Sequence, residues 1–342
     1  MLFCIKNRLL AKQHQNMTEK QCCSYVSTDN KQCTEPDLGT GFCFWHDKTI
    51  DKSGMELAER LENFAAEGGL LQGVVLKRAN LKNVNLVRRG SATGYDMRNA
   101  DLYRANMRGA HLFNLNLEGA SLMKANLNEA NLHCTNLHNT NLLGVKLQGA
   151  RMDNVKIGSH VQQEAIAVDA DKHQEREKAS DHYEQSEEIY RNLRKAAESD
   201  GLFTLAGHCA HKELTMRRKQ YPKYSKQRIV SKFVDIFCGY GERPINVISF
   251  SIMLIMFCAV LFFLFGVQSS NGVIQLSLDN SLSENLSNFF STVYFSVVTF
   301  TTLGYGDIQP IGISRLVATI EAFVGSFALA LYVVVFVKKT TR

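Results

Sequence analysis

The chain has 342 residues, enough for two or three domains, and carries a formal net charge of +6. Its 45% hydrophobic content is ordinary for a soluble protein, but two long apolar runs are concentrated within residues 245–342. The sequence shows no secretory signal peptide, and its nine cysteines form no even disulfide framework. These features exclude a small secreted disulfide scaffold and place the soluble part in the reducing cytosol.

The segments that precede the first regular pattern are short. Residues 1–16 are basic and featureless. They are expected to be a disordered or upstream extension, with either Met1 or Met17 as the start of the protein. A Cys/His module is predicted at 17–50, followed by a short helical connector at 51–73.

The Cys/His module contains a candidate metal site. The Cys43-Phe-Trp-His46 spacing can bring a thiolate and an imidazole to one ion. Cys33 and Cys23, or Cys22 in place of Cys23, complete a tetrahedral Cys₃His set typical of structural Zn²⁺. Because the segment is short and polar, metal binding would supply the folding free energy that an apolar core cannot. Spacings of nine or ten residues between ligands are looser than a CxxC pair, so free cytosolic thiols are the alternative.

An apolar residue recurs at every fifth position after residue 96. The series is Met97, Leu102, Met107, Leu112, Leu117, Leu122, Leu127, Leu132, Leu137, Leu142, Leu147, Met152 and Ile157. Small residues, mostly Ala, stand two positions earlier. A period of five fits neither a helix nor a strand, and it never becomes the 3.5 of a coiled coil. It fits a square solenoid in which four repeats make one turn, with the large and small residues inside.

The first part of this pattern is out of register. Leu76, Leu81 and Leu86 keep the period of five but lie one residue out of phase with the later series. Residues 87–96 are therefore predicted to form a loop or bulge that absorbs the extra residue. The whole solenoid is predicted to span residues 74–157.

The repeat resembles the A-(D/N)-L-x-x pattern of pentapeptide-repeat proteins. That resemblance implies a right-handed quadrilateral β-helix, here of about four coils. Some members of the family mimic DNA with acidic surfaces, but residues 74–157 carry twelve Lys and Arg against five Asp and Glu. DNA mimicry is therefore not expected, whereas anionic lipid or nucleotide binding stays open.

Residues 158–227 are predicted to be a cytosolic helical linker. Apolar residues such as Tyr183, Ile189 and Leu193 recur at helical spacing, and a second helix is expected after Gly201. The nearby group His208, His211 and Glu213 is interpreted as solvated side chains rather than a catalytic site. Residues 228–243 are basic and amphipathic, which is typical of a helix lying in the membrane interface.

The region 244–342 is predicted to be a transmembrane domain with two spans. Residues 245–267 contain no charge, and residues 315–337 contain one acid within the apolar run. No Lys or Arg lies between 268 and 314, whereas both flanks are basic. The positive-inside rule therefore predicts a multi-pass protein with both termini in the cytoplasm. The cell membrane, plasma or inner, is the expected location, and a bacterial source is expected.

The loop between the spans carries the most specific motif. Residues 288–300 are apolar and too short to span, and residues 299–307 read Thr-Phe-Thr-Thr-Leu-Gly-Tyr-Gly-Asp. This resembles the T-x-T-T-x-G-Y-G-D signature of potassium channels in the pore-loop superfamily. The resemblance implies a re-entrant pore helix at 288–300 and a selectivity filter formed by Thr301, Thr302, Leu303, Gly304, Tyr305, Gly306 and Asp307. Leu303 departs conservatively from the usual Val or Ile.

Physical reasoning supports this interpretation of the motif. Backbone carbonyls can replace the hydration shell of K⁺, and the backbone angles needed to aim them are open to Gly304 and Gly306. Non-helical backbone at membrane depth is tolerated only when it is buried in protein or lines water. One chain supplies a quarter of each oxygen ring, so a homotetramer is expected.

Two residues of the second span are further candidates. Gly325 lies where related channels carry an inner-helix hinge, although a small residue for close helix packing explains it equally well. Glu321 is an intramembrane acid and is expected to be structural or gating rather than an ion ligand.

The sequence therefore predicts a multidomain protein: a pentapeptide β-helix, a helical linker and an all-α two-span pore domain assembled as a tetramer. Its predicted function is passive K⁺ conduction, gated or assembled through the solenoid and an unidentified cytosolic ligand or protein. K⁺ is expected in the filter and Zn²⁺ at the cysteine cluster, and no enzymatic activity is expected. The alternatives are a less selective cation channel and a membrane-anchored pentapeptide-repeat interaction protein.

Overall fold

The computed structural model describes residues 22–270, 272–277 and 281–340. The predicted extension at 1–16 and the alternative start at Met17 lie outside the described residues. The chain divides into two compact units, with the boundary after Pro222. Each unit is described separately.

The period of five produces a solenoid of parallel coils. Asp101 bridges to Ser121 and Asn106 bridges to Asn126, so successive coils are separated by 20 residues, or four repeats. The backbone N–H groups of the buried leucines donate to carbonyls one coil away, as from Leu122 to Asn141 at 2.9 Å. The predicted pentapeptide-repeat fold is confirmed.

The interior of the solenoid is filled as the sequence pattern predicts. Leu122, Leu127 and Leu132 are fully buried, and so are the small residues Ala125 and Ala130 that stand between them. A large and a small side chain from each repeat thus share the narrow interior, which leaves polar residues on the outside. Burying each Leu side chain stabilises the folded state by about 1.5–3 kcal/mol relative to leaving that side chain exposed to water.

The phase shift in the sequence corresponds to an insertion larger than one residue. Asn80 bridges to Asn106, a separation of 26 residues where later coils have 20. The predicted bulge therefore adds a whole repeat together with the extra residue. Gly94 lets this loop lie against the next coil, because a Cβ there would sit 1.9 Å from the Asn114 carbonyl oxygen.

The corners of the solenoid require left-handed backbone at every fifth residue. Positive φ angles recur at Asn99, Arg104, Gly109, Asn114, Gly119, Lys124 and Glu129. Gly and Asn adopt this conformation readily, whereas Arg, Lys and Glu are strained in it. The Asn and Gly residues between the apolar positions therefore serve the turns as well as the surface.

The N-terminal end of the solenoid is covered by the Cys/His module and helix α1 (Ala58–Ala66). Only this part of the predicted 51–73 connector is helical. Glu56 already bridges to Asn80 of the first full coil, and the Val75 N–H donates to the Trp45 carbonyl at 2.8 Å. Backbone groups at the open end of the first coil therefore have hydrogen-bond partners in the segments that precede it.

The C-terminal end meets helices α2 (Gln162–Lys172), α3 (Arg176–Ser199) and α4 (Phe203–Gln220). The two helices predicted on either side of Gly201 are present as α3 and α4, but the prediction missed α2, the third helix of the group. α2 contributes Glu164, which accepts hydrogen bonds from Tyr190 of α3 and Lys212 of α4. The buried tyrosine at their junction explains why the helices are not solvated independently.

The expectation that Glu213 is solvated is also wrong. Glu213 is buried on α4 and accepts hydrogen bonds from Arg191 and Arg194 of α3, at 3.2 and 2.8 Å. Glu187 similarly accepts from Arg217 at 2.9 Å. Charged helices that look soluble in sequence are here joined by partly buried ion pairs, which require both partners to remain in place.

The second unit begins with α5 (Lys226–Cys238), a 3₁₀ turn (Gly239–Gly241) and α6 (Pro244–Phe265). The α5 side chains Ile229, Val230, Phe233 and Ile236 are exposed. This is the amphipathic segment predicted for a membrane interface.

The remainder of this unit is built around two further helices. After α6 come strands β1 (Val267–Ser269) and β2 (Gly272–Ile274), helix α7 (Leu282–Phe300), strand β3 (Ile308–Pro310) and helix α8 (Ser314–Thr340). The strands form an antiparallel sheet in the order β2-β1-β3. α7 begins six residues earlier than the predicted 288, because Ser281 caps its first turn by accepting from the Glu284 N–H.

Candidate functional site

The segment 301–307 continues directly from the C-terminal end of α7. The Leu303 N–H donates to the Val298 carbonyl at 3.0 Å, so the chain leaves the helix in a tight turn. It then enters β3, where Gln309 pairs with Gln268 of β1. The segment is thus held between a helix end and a small sheet.

The backbone of this segment is left-handed at alternate positions. The φ angles of Thr302, Gly304 and Gly306 are 58°, 61° and 82°. The two glycines were predicted to occupy such angles, but the same conformation at Thr302 was not. No atom lies within 4 Å of a Cβ built at either glycine. Within one chain, the backbone angle rather than a steric neighbour accounts for glycine at both positions.

The side chains of this segment are open in a single chain. Leu303 is 59% exposed and Tyr305 is 68% exposed. Large apolar groups beside two apolar helices are costly to leave in water. Lipid or other protein chains can cover these exposed side chains.

Asp307 has a partner that the sequence analysis missed. The Tyr294 side chain of α7 interacts with its carboxylate. The link joins the end of segment 301–307 to the helix that precedes it. No local spacing rule identifies such a pair, because it depends on how the chain turns back after Phe300.

α8 packs closely against the end of α7 at Gly325. A Cβ at this position would lie 2.2 Å from the Phe300 carbonyl oxygen, the last helical residue before segment 301–307. Close packing therefore accounts for this glycine, and a hinge there stays a prediction. One turn earlier, the buried Glu321 is hydrogen-bonded to Ser296 of α7.

The Cys/His module brings four potential ligands together at a second site. The Cys33 and Cys43 sulfur atoms are 3.8 Å apart, and His46 Nδ1 lies 3.2 Å from Cys43 Sγ and 3.8 Å from Cys23 Sγ. All four ligand atoms lie within 4.8 Å of one another and all four residues are buried. Ligands on one tetrahedral Zn²⁺ at Zn–S of about 2.3 Å lie roughly 3.5–3.8 Å apart. The donor set fits a single metal ion.

Groups around His46 orient its ring for this role. The Nε2–H donates to the Gln72 carbonyl at 2.9 Å, which leaves the Nδ1 lone pair facing the sulfur atoms. The Tyr25 ring stacks on the imidazole with centroids 4.1 Å apart. Neither Gln72 nor Tyr25 was found from sequence, since both meet His46 only through the fold.

Thiolate character is concentrated on one cysteine of the group. A hydrogen bond from the Cys33 thiol, and then the neighbouring His46, hold the pKa of Cys43 well below its usual range. Burial raises the pKa of Cys23. A cation bound between them would offset that burial cost by taking all three sulfur atoms as thiolates.

Cys22 is not a member of the group. It is disulfide-bonded, so its sulfur does not replace that of Cys23 as a ligand. The expectation of reduced cysteines therefore does not hold for Cys22, whereas Cys23, Cys33, Cys43, Cys134, Cys209, Cys238 and Cys258 are free thiols.

α6 and α8 have the length and composition of membrane spans. Each contains an 18-residue stretch of high mean hydropathy, 2.8 within Pro244–Phe265 and 2.3 within Ser314–Lys339. A helix of 22 residues rises by about 33 Å, enough for a hydrocarbon core of roughly 30 Å.

Comparisons with known protein families agree with both units. A model described as an ion channel matches residues 250–342, and a model of pentapeptide repeats matches residues 93–128 and 120–157. Both are non-enzymatic kinds of protein.

Individual proteins resemble only parts of the chain. Protein LctB of Bacillus caldotenax is 35% identical over 57 residues, which cover 17% of this chain and 42% of LctB. The solved pentapeptide repeat protein Rfr23 of Cyanothece 51142 is 30% identical over 26% of this chain and 64% of its own, with a TM-score of 0.20. The solved pentapeptide repeat protein alr5209 of Nostoc Pcc 7120 is 29% identical. The match covers 30% of this chain and 78% of alr5209, with a TM-score of 0.18.

The chain thus spans less than half of the length of that curated relative and less than two thirds of Rfr23. The structural likenesses are too distant to carry an argument. The conclusion about the chain rests on the family matches, the coils and the two apolar helices. The chain is a membrane protein that joins pentapeptide repeats to an ion channel domain of the two-helix type.

Proposed function

We propose that the chain forms a potassium-selective channel. The observation that carries this proposal is the segment Thr-Thr-Leu-Gly-Tyr-Gly-Asp at 301–307. Its backbone is left-handed at alternate positions, and its Leu303 and Tyr305 side chains are exposed. K⁺ must exchange its hydration shell for oxygen ligands, and uncharged backbone carbonyls supply them without trapping the ion. The Thr302 hydroxyl would add an oxygen at the inner end.

Four copies of the chain are needed for this role. One segment can approach an ion from one side only, so a closed ring of oxygens requires symmetric assembly. The exposed Leu303 and Tyr305 supply apolar surface for contacts between copies. A homotetramer would close the ring of oxygens and would also bury the exposed Leu303 and Tyr305 side chains between copies.

The proposed placement is a multi-pass protein of a bacterial cell membrane with both termini in the cytoplasm. Basic residues flank the two spans on that side, and the exposed apolar face of α5 lies among Lys226, Arg228 and Lys232. This combination favours contact with anionic lipid at the interface. The solenoid would then act in the cytosol as a gating or assembly domain for an unidentified ligand or protein.

The test of this function uses the full chain purified and reconstituted in vesicles. Mass measurement of the detergent-solubilised complex is expected to give four chains. Vesicles with an outward K⁺ gradient are expected to release K⁺, and an equal outward Na⁺ gradient is expected to release little Na⁺. A monomer, or equal release of both ions, contradicts the proposal.

We also propose that the Cys₃His group holds one structural Zn²⁺ per chain. Cys23, Cys33, Cys43 and His46 match the ligand types and separations that Zn²⁺ prefers. The metal would fix the loop whose Trp45 carbonyl pairs with Val75, and so would stabilise the covered end of the solenoid. Zn²⁺ here would be structural, because four protein ligands leave no open position.

Elemental analysis of freshly purified protein tests this site. Near-stoichiometric zinc is expected, and Cys43→Ser should lose it. Cys134→Ser, which removes a free thiol of the solenoid outside the group, is the matched control and should retain the metal. Absence of any metal in the unsubstituted protein rejects the site.

A further inference from the structure

One hydrogen-bonded chain of polar atoms connects α6, α7 and α8 inside the apolar unit. The Ser296 hydroxyl of α7 lies 2.9 Å from the Ile255 carbonyl oxygen of α6 and is also hydrogen-bonded to Glu321 Oε1 of α8. Ser296 is fully buried and Glu321 is 1% exposed. All three helices therefore meet at a single serine oxygen.

Counting protons decides the direction of this chain. The Ile255 carbonyl can only accept, so the proton between it and Ser296 must come from the serine hydroxyl. A serine hydroxyl has one proton, so a full hydrogen bond to the Ile255 carbonyl leaves no proton on Ser296 for Glu321. With the serine proton on that carbonyl, the contact between Ser296 and Glu321 is a hydrogen bond when the carboxyl group is protonated and donates to the serine oxygen.

The surroundings of the carboxyl group agree with a neutral acid. Among the described residues, Glu321 Oε2 has no hydrogen-bond partner within normal distance. In the part of the chain that the structure describes, the titratable neighbour on α6 is the Cys258 thiol, and the neighbour on α7 is the uncharged Ser296. Along α8, the nearest charged residue is Arg315, which bonds to the Pro310 carbonyl instead. An isolated buried carboxylate would lack any compensating charge.

We propose that Glu321 is a protonated carboxylic acid at neutral pH, and that its proton fixes α8 against α7 behind segment 301–307. One helical turn later, Gly325 contacts the carbonyl of Phe300, which immediately precedes that segment. Loss of the proton would turn the Ser296 hydroxyl from the Ile255 carbonyl to the carboxylate, so the link from α7 to α6 would be lost and the packing of the three helices would change. Glu321 is thus a positioning residue, and its effect on conduction rests on the proposed channel function.

Infrared difference spectroscopy tests the protonation state in the purified full chain, whether or not it conducts. At neutral pH, the unsubstituted protein should show a protonated-carboxyl C=O band that Glu321→Gln removes. Glu242→Gln is the control, because Glu242 is paired with Lys338 and should contribute only carboxylate bands. A spectrum in which Glu321→Gln removes a carboxylate band instead rejects the proposal.

Ser296→Ala keeps the test decisive if Glu321→Gln fails to fold. Removing the serine oxygen takes away the acceptor of the acid proton, so the C=O band should persist and shift to higher frequency. A band of unchanged frequency would show that the acid does not donate to Ser296, which overturns the assignment.

Conductance against pH tests the positioning role. Current through the unsubstituted protein should fall as the pH rises through the range in which the acid band disappears. Glu321→Gln, which retains a neutral hydrogen-bond donor, should conduct without that pH dependence. The same pH dependence in both proteins rejects the positioning role. Failure of K⁺ selectivity in the unsubstituted protein would reject the channel proposal and leave the infrared result standing.

Discussion

Leu127 in the solenoid and Leu303 in segment 301–307 are the same residue type in opposite surroundings. Leu127 is fully buried among side chains of its own chain, whereas Leu303 is 59% exposed. The solenoid satisfies its backbone by pairing each coil with the next, as Leu127 N–H does with the Lys146 carbonyl at 2.8 Å. Segment 301–307 has left-handed backbone at alternate positions, and its Leu303 and Tyr305 side chains stay exposed in the part of the chain that the structure describes.

From this difference we expect the solenoid to determine the stability of the chain and segment 301–307 to determine its function. A repeating solenoid gains its free energy from contacts between neighbouring coils, so a single chain can form it. An ion path along a symmetry axis gains its ligands only from several chains. Substitutions in the first region should therefore change unfolding, and substitutions in the second should change conduction.

The largest effect is expected at the glycines of segment 301–307. Gly304→Ala or Gly306→Ala places a side chain at φ of 61° or 82°, so the backbone should rotate and current or K⁺ preference should be lost. Single-channel recording measures this. Gly312→Ala is the matched control, since its φ of 50° carries similar strain outside the segment. Loss of selectivity in the control as well would point to general strain.

The solenoid core should show the opposite result. Leu127→Ala removes a fully buried side chain and should lower the free energy of unfolding of the solenoid by about 2–5 kcal/mol. Thermal or denaturant unfolding measures the loss, and the K⁺ to Na⁺ permeability ratio should stay unchanged. A changed ratio would show that the two regions are not separable in this way.

Gly325 tests close packing against a hinge. Gly325→Ala would place Cβ 2.2 Å from the Phe300 carbonyl oxygen, and forcing α8 away should destabilise the assembly by about 1–3 kcal/mol. Ser326→Ala, at a neighbouring exposed position, is the control. If Gly325→Ala alters opening kinetics without changing thermal stability, the hinge explanation is the better one.

The smallest effect is expected at the solenoid corners. Lys124 has a φ of 59°, so Lys124→Gly should relieve strain and raise stability by up to about 1 kcal/mol. Lys146 bridges to Asn126 and has no positive φ, so Lys146→Gly should destabilise instead. Equal effects from both substitutions would contradict the role assigned to the corner angle.

The sequence predicts those parts of the fold that follow from local patterns. The period of five predicts which residues fill the solenoid, and the Cys43 to His46 spacing with Cys33 and either Cys22 or Cys23 predicts the group of candidate metal ligands. The Ser281 cap of α7 was also readable, because Ser and Glu three residues apart form a capping pattern. The prediction that started this helix at 288 gave that signal too little weight.

The remaining features depend on contacts between distant parts of the chain. Gln72 accepts from His46, Tyr294 interacts with Asp307 and Glu213 is enclosed by two arginines, and each pair forms only when the elements are already packed. A polar residue on a charged helix gives no local sign of burial. Sequence patterns therefore located segment 301–307 and the Cys₃His group but not the groups that contact them.

The reversal potential of the reconstituted full chain tests the central claim most directly. With K⁺ on one side of a planar bilayer and Na⁺ on the other, the current should reverse at a potential strongly displaced in the direction set by K⁺ permeation, because uncharged carbonyls favour K⁺ over Na⁺. A reversal potential near zero in the unsubstituted protein, with both ions carrying equal current, would contradict a potassium-selective channel.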